Sequence, residues 1–462
     1  AGYWCHSDLH LGGLTSSQHK GLAIDDTTFR HCPGKVPEVW PNTLDVVDSL
    51  RLFKAWDPSW PARDREPAWQ RLEYYVRVNS ARVLFGTQVT CQPEADDQDW
   101  HWTKELMQRL GPERVMGVAV GNEMELLFSK QGLTSAVTEE CILEMWGGGY
   151  FWRTFVHRVT ELDSMGFSGV TVTSVFGGLA LNGWPFMESP REALVTSFLG
   201  NASRTYGRRF AFTFNFYPYF DQSFTLDPNT TECTQALAAA TCFESNCSLP
   251  MSAARARRKI QQLTGRSDDT YWIGETGWSM PTATSLDTDM ALCTDWSMPE
   301  AFKTFYQHFL EWDVAFLAST AERSPEMDAG LLPPDHIFFF TLRDSVNYGV
   351  QEYFGLVSSC RDQRCKLHSD GYLAPGEVPS MSLGWIKWTF ASLAGSMLLA
   401  FGVVAVHARL TAEEETPLKW RFEAQKGLAD HGRQQSPRTL SAASSSGMQA
   451  PRSRSTTMLD AI

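Results

Sequence analysis

Two glutamates follow apolar runs in settings that suit acid–base chemistry. Glu123 ends the run Val-Met-Gly-Val-Ala-Val-Gly-Asn-Glu, and Glu275 ends the run Tyr-Trp-Ile-Gly-Glu. Each has a nearby glycine, which allows the backbone to lie close to a ligand. Two carboxylates that face one cleft suffice to cleave a glycosidic bond, because one donates a proton while the other attacks the anomeric carbon. Either short motif alone is common in loops, so the hypothesis depends on the pair.

The segments that must position these glutamates alternate between strand-like and helix-like patterns, as in repeated βα units. Eight strands are predicted, at Gly21–Ile24, Leu50–Ala55, Ala81–Val89, Val115–Val120, Gly169–Val175, Phe210–Phe216, Tyr271–Glu275 and Ile337–Leu342. Predicted helices include Trp100–Leu110, Phe151–Met165, Arg191–Leu199, Met251–Leu263 and Pro299–Leu310. Eight such units favour a closed (β/α)8 TIM barrel of the α/β class over an open doubly wound sheet. The two glutamates then follow strands four and seven, at the end of a barrel where active sites lie.

Several motifs resemble those of glycoside hydrolase family 17, the β-1,3-glucanases and β-1,3-glucan transglycosylases. Val120-Gly121-Asn122-Glu123 is similar to the family's strand-four acid/base motif, and Glu275-Thr276-Gly277-Trp278 to its strand-seven nucleophile motif. Asn215-Phe216-Tyr217-Pro218-Tyr219-Phe220 is similar to the family's strand-six motif Asn-x-Tyr-Pro-Tyr-Phe. Further similarities are Arg51-Leu52-Phe53 on strand two and Glu352-Tyr353-Phe354-Gly355-Leu356 after strand eight. The resemblance spans residues 20–357.

The resemblance implies a retaining double displacement. Glu123 would be the proton donor, and Glu275 the nucleophile that forms a covalent glucosyl-enzyme, resolved by water or by a sugar hydroxyl. Four further residues become candidates for substrate binding: Asn122, Tyr217, Trp278 and Glu352.

The resemblance also suggests individual roles for these candidates. Asn122 would hydrogen-bond the sugar 2-hydroxyl. Tyr217 would donate to the nucleophile, or else it is an ordinary strand aromatic. Trp278 is either a sugar-stacking wall or a core residue. The chain departs from the family after strand eight, where Arg343-Asp344-Ser345 replaces Phe-Asp-Glu with no matching lysine, and on strand two, where Phe53 replaces tyrosine.

Composition narrows the possible partners. The net charge of −13 disfavours binding to a phosphate backbone, so we expect no nucleic-acid partner. The sequence has no glycine-rich nucleotide fingerprint and no Cys-x-x-Cys or His-Glu-x-x-His spacing, so neither a cofactor nor a metal is expected. The expected partner is a β-glucan polysaccharide or oligosaccharide.

Residues 388–406, WTFASLAGSMLLAFGVVAV, carry no charge and predict one transmembrane helix, because 19 residues rise about 28 Å as a helix. All ten cysteines precede this segment, as do three glycosylation sequons, at Asn201, Asn229 and Asn246. Disulfides and glycans form in the secretory route. We therefore expect a single-pass type I membrane protein whose catalytic domain is extracellular or lumenal. The chain begins Ala1-Gly2-Tyr3, and we expect a preceding segment to have been removed.

The predicted organisation has five parts: an N-terminal extension at 1–19, the barrel domain at 20–366, a juxtamembrane linker at 367–387, the transmembrane helix at 388–406 and a disordered cytosolic tail at 407–462. The pairs Cys360–Cys365 and Cys242–Cys247 could each close a small loop, although sequence does not fix pairing. Three functions stay open. The leading one is a membrane-anchored β-1,3-glucan hydrolase or transglycosylase; the alternatives are a catalytically silent glucan-binding receptor and a hydrolase of another β-linked glucan.

Overall fold

The computed structural model describes residue 5 and residues 14–130, 137–181, 190–220, 231–280, 293–314, 331–347, 350–362 and 365–367. The chain divides into two units, residues 1–374 and 375–462, and all described residues belong to the first. The linker, the transmembrane helix and the tail therefore stay predictions, apart from the start of the linker at Leu367.

Eight parallel strands form a closed barrel in chain order, β1 to β8, with β8 pairing back to β1. The strands are β1 Lys20–Ile24, β2 Ser49–Leu52, β3 Arg82–Thr87, β4 Val115–Asn122, β5 Thr171–Gly177, β6 Phe212–Asn215, β7 Tyr271–Thr276 and β8 His336–Phe339. A two-stranded antiparallel sheet follows, β9 Ser345–Asn347 and β10 Val350–Glu352. The predicted (β/α)8 barrel is confirmed.

Ten helices in the described part of the chain alternate with the strands or lie in the loops between them. They are α1 Asp26–His31, α2 Ala62–Val78, α3 Pro93–Leu110, α4 Leu127–Lys130, α5 Glu139–Trp146, α6 Tyr150–Ser164, α7 Pro190–Tyr206, α8 Thr231–Thr241, α9 Ser248–Thr264 and α10 Pro299–Glu311. The end signals are in the sequence. Helix α3 begins with Pro93 at its first position and ends at Leu110, followed by Gly111, whose φ of 83° suits glycine.

The structure differs from the prediction at element boundaries. Strand β2 was predicted to reach Ala55 but ends at Leu52, because its pairing with β3 ends at Leu52 opposite Phe85. Helix α2 was not predicted, since it contains Pro67 and many charged residues. Its buried residues nevertheless recur at helical spacing and face the barrel: Ala68, Trp69, Leu72, Tyr75 and Val76.

All ten cysteines are paired in five disulfides: Cys5–Cys365, Cys32–Cys360, Cys91–Cys141, Cys233–Cys293 and Cys242–Cys247. The predicted small loop closed by Cys242 and Cys247 is confirmed, but the one closed by Cys360 and Cys365 is wrong. Cys360 and Cys365 instead pair with Cys32 and Cys5, because the segment after β10 packs back against the beginning of the chain. These two bridges join the beginning of the chain to the segment after β10.

Within the described part of the chain, no helix has the length and apolar composition needed to cross a membrane. The predicted transmembrane helix at 388–406 lies outside the described residues.

The amino end of the barrel buries a histidine, which predicts a pH-dependent stability. Burial, together with the positive charges of Arg82 and His19, lowers the pKa of His336 from 6.5 to about 3, and its ring lies 3.0 Å from the Ser49 hydroxyl. Unfolded chains therefore bind a proton that folded ones do not, and stability falls as the pH drops from 6.5 toward 3. Between pH 6.5 and pH 4.5 this group costs about 2 to 3 kcal/mol of unfolding free energy.

We expect His336→Gln, which cannot titrate, to escape that loss. Urea unfolding at several pH values measures the free energy of unfolding of both proteins. The wild-type value minus the variant value, the stability gap, should decrease as the pH falls. His101→Gln, at an exposed position, is the control and should keep a constant gap. A gap for His336→Gln that does not change with pH would contradict the prediction.

Candidate active site

Glu275 lies near the carboxyl end of β7 and is 6% exposed. Its Oε1 accepts hydrogen bonds from the Arg51 Nη1, 2.9 Å away, and from the Asn215 Nδ2, 2.8 Å away. Its Oε2 accepts a short hydrogen bond from the Tyr217 hydroxyl. Both oxygens are thus held in place, and the contact with the guanidinium is a charge-assisted hydrogen bond. The structure places Tyr217 where the resemblance expected a donor to the nucleophile.

Glu123 follows the carboxyl end of β4 and is partly exposed. It adopts a left-handed backbone conformation with a φ of 50°, and its N–H donates to the Val175 carbonyl oxygen on β5. Its Oε1 accepts a hydrogen bond of 3.0 Å from the Asn215 Nδ2. The tight turn begins at Gly121, whose φ of 79° suits glycine.

One amide nitrogen therefore bridges the two carboxylates. Because the Asn215 Nδ2 lies within 3.0 Å of an oxygen of Glu123 and of one of Glu275, those oxygens are at most about 6 Å apart. If each accepts one of the two amide hydrogens, the separation is about 5 Å. Carboxyl groups of retaining glycosidases lie about 5 to 5.5 Å apart, whereas inverting enzymes need about 6.5 to 9.5 Å. The geometry suits retention.

Arg51 connects these groups from the buried side. Its guanidinium, 1% exposed, also donates to the Asn215 Oδ1 at 3.3 Å and to the Asn122 Oδ1 at 2.7 Å. A Cβ on Gly274 would lie 2.8 Å from the Arg51 Nη1, so the glycine beside Glu275 makes room for this contact. The orientation of the Asn122 amide is fixed through its oxygen, and its Nδ2 is a donor that a sugar hydroxyl can use.

Sequence reasoning quoted Arg51 and Asn215 within motifs but gave neither a role. A signal for Arg51 was present, since a charged residue inside a strand of a closed barrel must find a buried partner. Asn215 gave a weaker signal, as an amide at the carboxyl end of a strand.

Two candidates remain, Trp278 and Glu352. Trp278 is fully buried, and its indole N–H donates to the Trp296 carbonyl oxygen at 2.8 Å while its ring packs against Tyr219. The structure favours the core-packing alternative for Trp278 over a sugar-stacking wall, because no face of the ring reaches solvent. Glu352 is the last residue of β10, opposite Ser345, and its side chain lies outside the described part of the structure.

The segment after strand eight, which differs from the family 17 motif, is held by a buried ion pair. Asp344 is buried, and its Oδ1 accepts from the Lys366 Nζ at 2.7 Å and from the Gly355 N–H at 2.8 Å. The sequence showed no lysine close to this segment, and the structure supplies one from 22 residues further along the chain. This pair ties the segment after β8 to the segment that follows β10.

A charged cluster follows β1 and β2 at the same end of the barrel. The Lys54 Nζ lies 3.2 Å from an oxygen of Asp26 and 2.9 Å from one of Asp57. Burial lowers the pKa of Lys54, but the charges of the two aspartates outweigh burial and raise it overall. Lys54 therefore stays protonated. Next to it, the Phe53 ring centre lies 4.5 Å from the guanidinium carbon of Arg51, which connects this loop to the carboxylates.

The sequons have different surroundings. Asn246 is exposed, in the small loop closed by Cys242 and Cys247. Asn201 lies on α7 and is partly buried, and its side-chain oxygen accepts from Arg204. Asn229 lies outside the described residues. In the described residues, no group of three or more His, Cys, Asp and Glu side chains is placed to hold a metal ion.

Comparison with known proteins gives no family assignment. No protein-family model matches the chain, and no curated protein matches its sequence. Similar solved structures include an AHE enzyme from Alicyclobacillus herbarius, with 14% identity, a TM-score of 0.40 and coverage of 79% of this chain and 97% of that one.

A family 1 β-glucosidase from Thermotoga maritima shows 12% identity and a TM-score of 0.41, with 78% of this chain and 97% of that one covered. A β-glucosidase from Exiguobacterium marinum shows 11% identity and a TM-score of 0.40, with coverage of 75% and 94%. At TM-scores this low the comparisons decide nothing about the site, and membership of family 17 stays a prediction.

Proposed function

We propose that this protein is a retaining glycoside hydrolase of β-linked glucans. The observation that carries the proposal is the Asn215 amide, which hydrogen-bonds one carboxylate from β4 and one from β7 at retaining distance. β-1,3-Glucan is the substrate that the family 17 resemblance favours. Hydrolysis and transglycosylation share the first half of the reaction and differ in whether water or a sugar hydroxyl accepts the glucosyl group.

The contacts indicate which carboxylate acts as the nucleophile and which as the proton donor. Arg51 contacts Glu275 directly, which favours Glu275 as the ionised member of the pair and leaves Glu123 to carry the proton. Glu275 attacks the anomeric carbon as Glu123 protonates the departing glycosidic oxygen. Glu123, now ionised, then takes a proton from water or from an acceptor hydroxyl, which displaces Glu275 from the sugar.

The proposal includes a location outside the cytosol, anchored by the transmembrane helix predicted at 388–406. Five disulfides with no unpaired cysteine support an oxidising compartment. The competing receptor hypothesis predicts that the catalytic side chains are replaced by others once turnover is lost. A buried guanidinium on the nucleophile and a shared amide between both carboxylates support an enzyme instead.

The test is product analysis with the full chain in detergent. We expect a linear β-1,3-glucan oligosaccharide to be converted to shorter products, or to longer ones by transfer, as resolved by mass spectrometry. Proton NMR of the first product should show the β-anomer before mutarotation, since retention preserves the configuration. First appearance of the α-anomer would contradict retention.

A panel with mixed-linkage and β-1,4-glucans separates the alternatives. Turnover of either in preference to the β-1,3-linked substrate would support a hydrolase of another glucan. Binding by calorimetry without turnover of any substrate would overturn the proposal in favour of the receptor.

A further inference from the structure

A second buried carboxylate lies in the turn that carries Glu123. Glu125 belongs to the short 3-10 helix Met124–Leu126 and is 3% exposed. Its Oε1 accepts the N–H of Gly177, at the carboxyl end of β5, over 2.5 Å. Burying a carboxylate is costly unless it is well hydrogen-bonded, so a glutamate at this position calls for a reason.

The same strand end holds Glu123 through its backbone. The Glu123 N–H donates to the Val175 carbonyl oxygen over 2.8 Å, two residues before the amide that Glu125 binds. Glu123 has a φ of 50°, a conformation disfavoured for every residue with a side chain. Such a conformation persists only where surrounding contacts impose it, and the two bonds to β5 are such contacts.

Both carboxylates approach one point on the backbone. A Cβ built on Gly177 would lie 2.9 Å from the Oε1 of Glu125 and 3.5 Å from the Oε1 of Glu123. Because Gly177 has no side chain, the Glu125 carboxylate can reach the end of β5. The Glu123 carboxylate lies next to that contact.

We propose that Glu125 is a positioning residue for the acid/base, tying its turn to the end of β5 and thereby fixing where Glu123 delivers its proton. The inference rests on the proposed glycosidase function. A positioning role has a consequence that a general structural role lacks. The loss of kcat/KM caused by removing the Glu125 side chain should depend on the leaving group of the substrate. A poor leaving group needs the proton in the transition state, whereas an acidic phenol departs without it.

The experiment compares kcat/KM for two substrates with the same glycone, a linear β-1,3-glucan oligosaccharide and its 2,4-dinitrophenyl β-glycoside. General acid catalysis is worth about 10²- to 10⁴-fold. We therefore expect Glu125→Ala to lose about 10²-fold or more on the oligosaccharide and less than about fivefold on the aryl glycoside. Glu125→Gln keeps an oxygen acceptor for Gly177 and should recover most of the loss. Glu139→Ala, at an exposed position on α5, is the matched control.

A second variant covers the case in which Glu125→Ala does not fold. Gly177→Ala puts a methyl group 2.9 Å from the Glu125 Oε1, so that the Glu125 carboxylate has to shift, and the variant should produce the same selective loss. An equal loss on both substrates, or none on either, would overturn the positioning role. A wild-type protein inactive on both substrates would instead overturn the proposed function, and that result is distinct from either variant outcome.

Discussion

Glu275→Gln should lower kcat on the β-1,3-glucan oligosaccharide by on the order of 10⁵-fold, because an uncharged amide cannot form the proposed covalent glucosyl-enzyme. Substrate affinity should change little, since glutamine has nearly the same volume and its oxygen can still accept from Arg51 and Asn215. Calorimetry with the oligosaccharide measures that affinity, and single-turnover kinetics measures the chemical step.

A matched control lies at the opposite end of the barrel. Glu311→Gln changes an exposed glutamate at the end of α10 and should leave kcat unchanged. The Glu275→Gln variant leaves the Arg51 guanidinium without its counter-charge, so folding must be verified by circular dichroism. A folded Glu275→Gln protein that retains turnover would remove Glu275 from the nucleophile's role.

The barrel could be predicted from the sequence because its signal is repeated. Eight apolar runs separated by helical stretches indicate the architecture even where single boundaries are displaced. The end of β2 shows what such a pattern lacks. The apolar run continues past Leu52, but pairing stops there, opposite Phe85, and pairing depends on a neighbouring strand that the run does not encode.

The site could be predicted in part, for a similar reason. Glu123 and Glu275 lie in local motifs whose order along the chain is visible. The contacts that make them a site join distant positions: Asn215 is 92 residues from Glu123, and Arg51 is 164 residues from Asn215. No local pattern reports such contacts, although an arginine inside a strand indicates that one exists.

The Asp344–Lys366 pair and Trp278 illustrate two limits of local reasoning. A lysine was sought near the segment after strand eight, and the partner lies 22 residues away. A tryptophan beside the nucleophile was a candidate for sugar stacking, yet its indole is buried and bonded to a core carbonyl.

Arg51→Met should reduce kcat/KM by about 10³-fold and destabilise the fold by about 3 to 5 kcal/mol. Methionine keeps much of the apolar stem but removes the donors to Glu275, Asn215 and Asn122. Glu275 is then a buried carboxylate without its cation, and breaking a buried pair from one side is strongly destabilising. Arg51→Lys keeps the charge without the planar fork and should show a smaller loss of activity.

The double variant Arg51→Met/Glu275→Gln identifies the cause of that instability. Each single variant leaves one charge of the buried pair uncompensated, whereas the double variant leaves neither. Its loss of unfolding free energy, measured in urea, should therefore be well below the sum of the two single losses. Arg63→Met, whose side chain is 87% exposed, is the control and should add independently to Glu275→Gln. Simple additivity for Arg51 and Glu275 would show that the guanidinium stabilises the barrel through its amide partners, Asn215 and Asn122, rather than through Glu275.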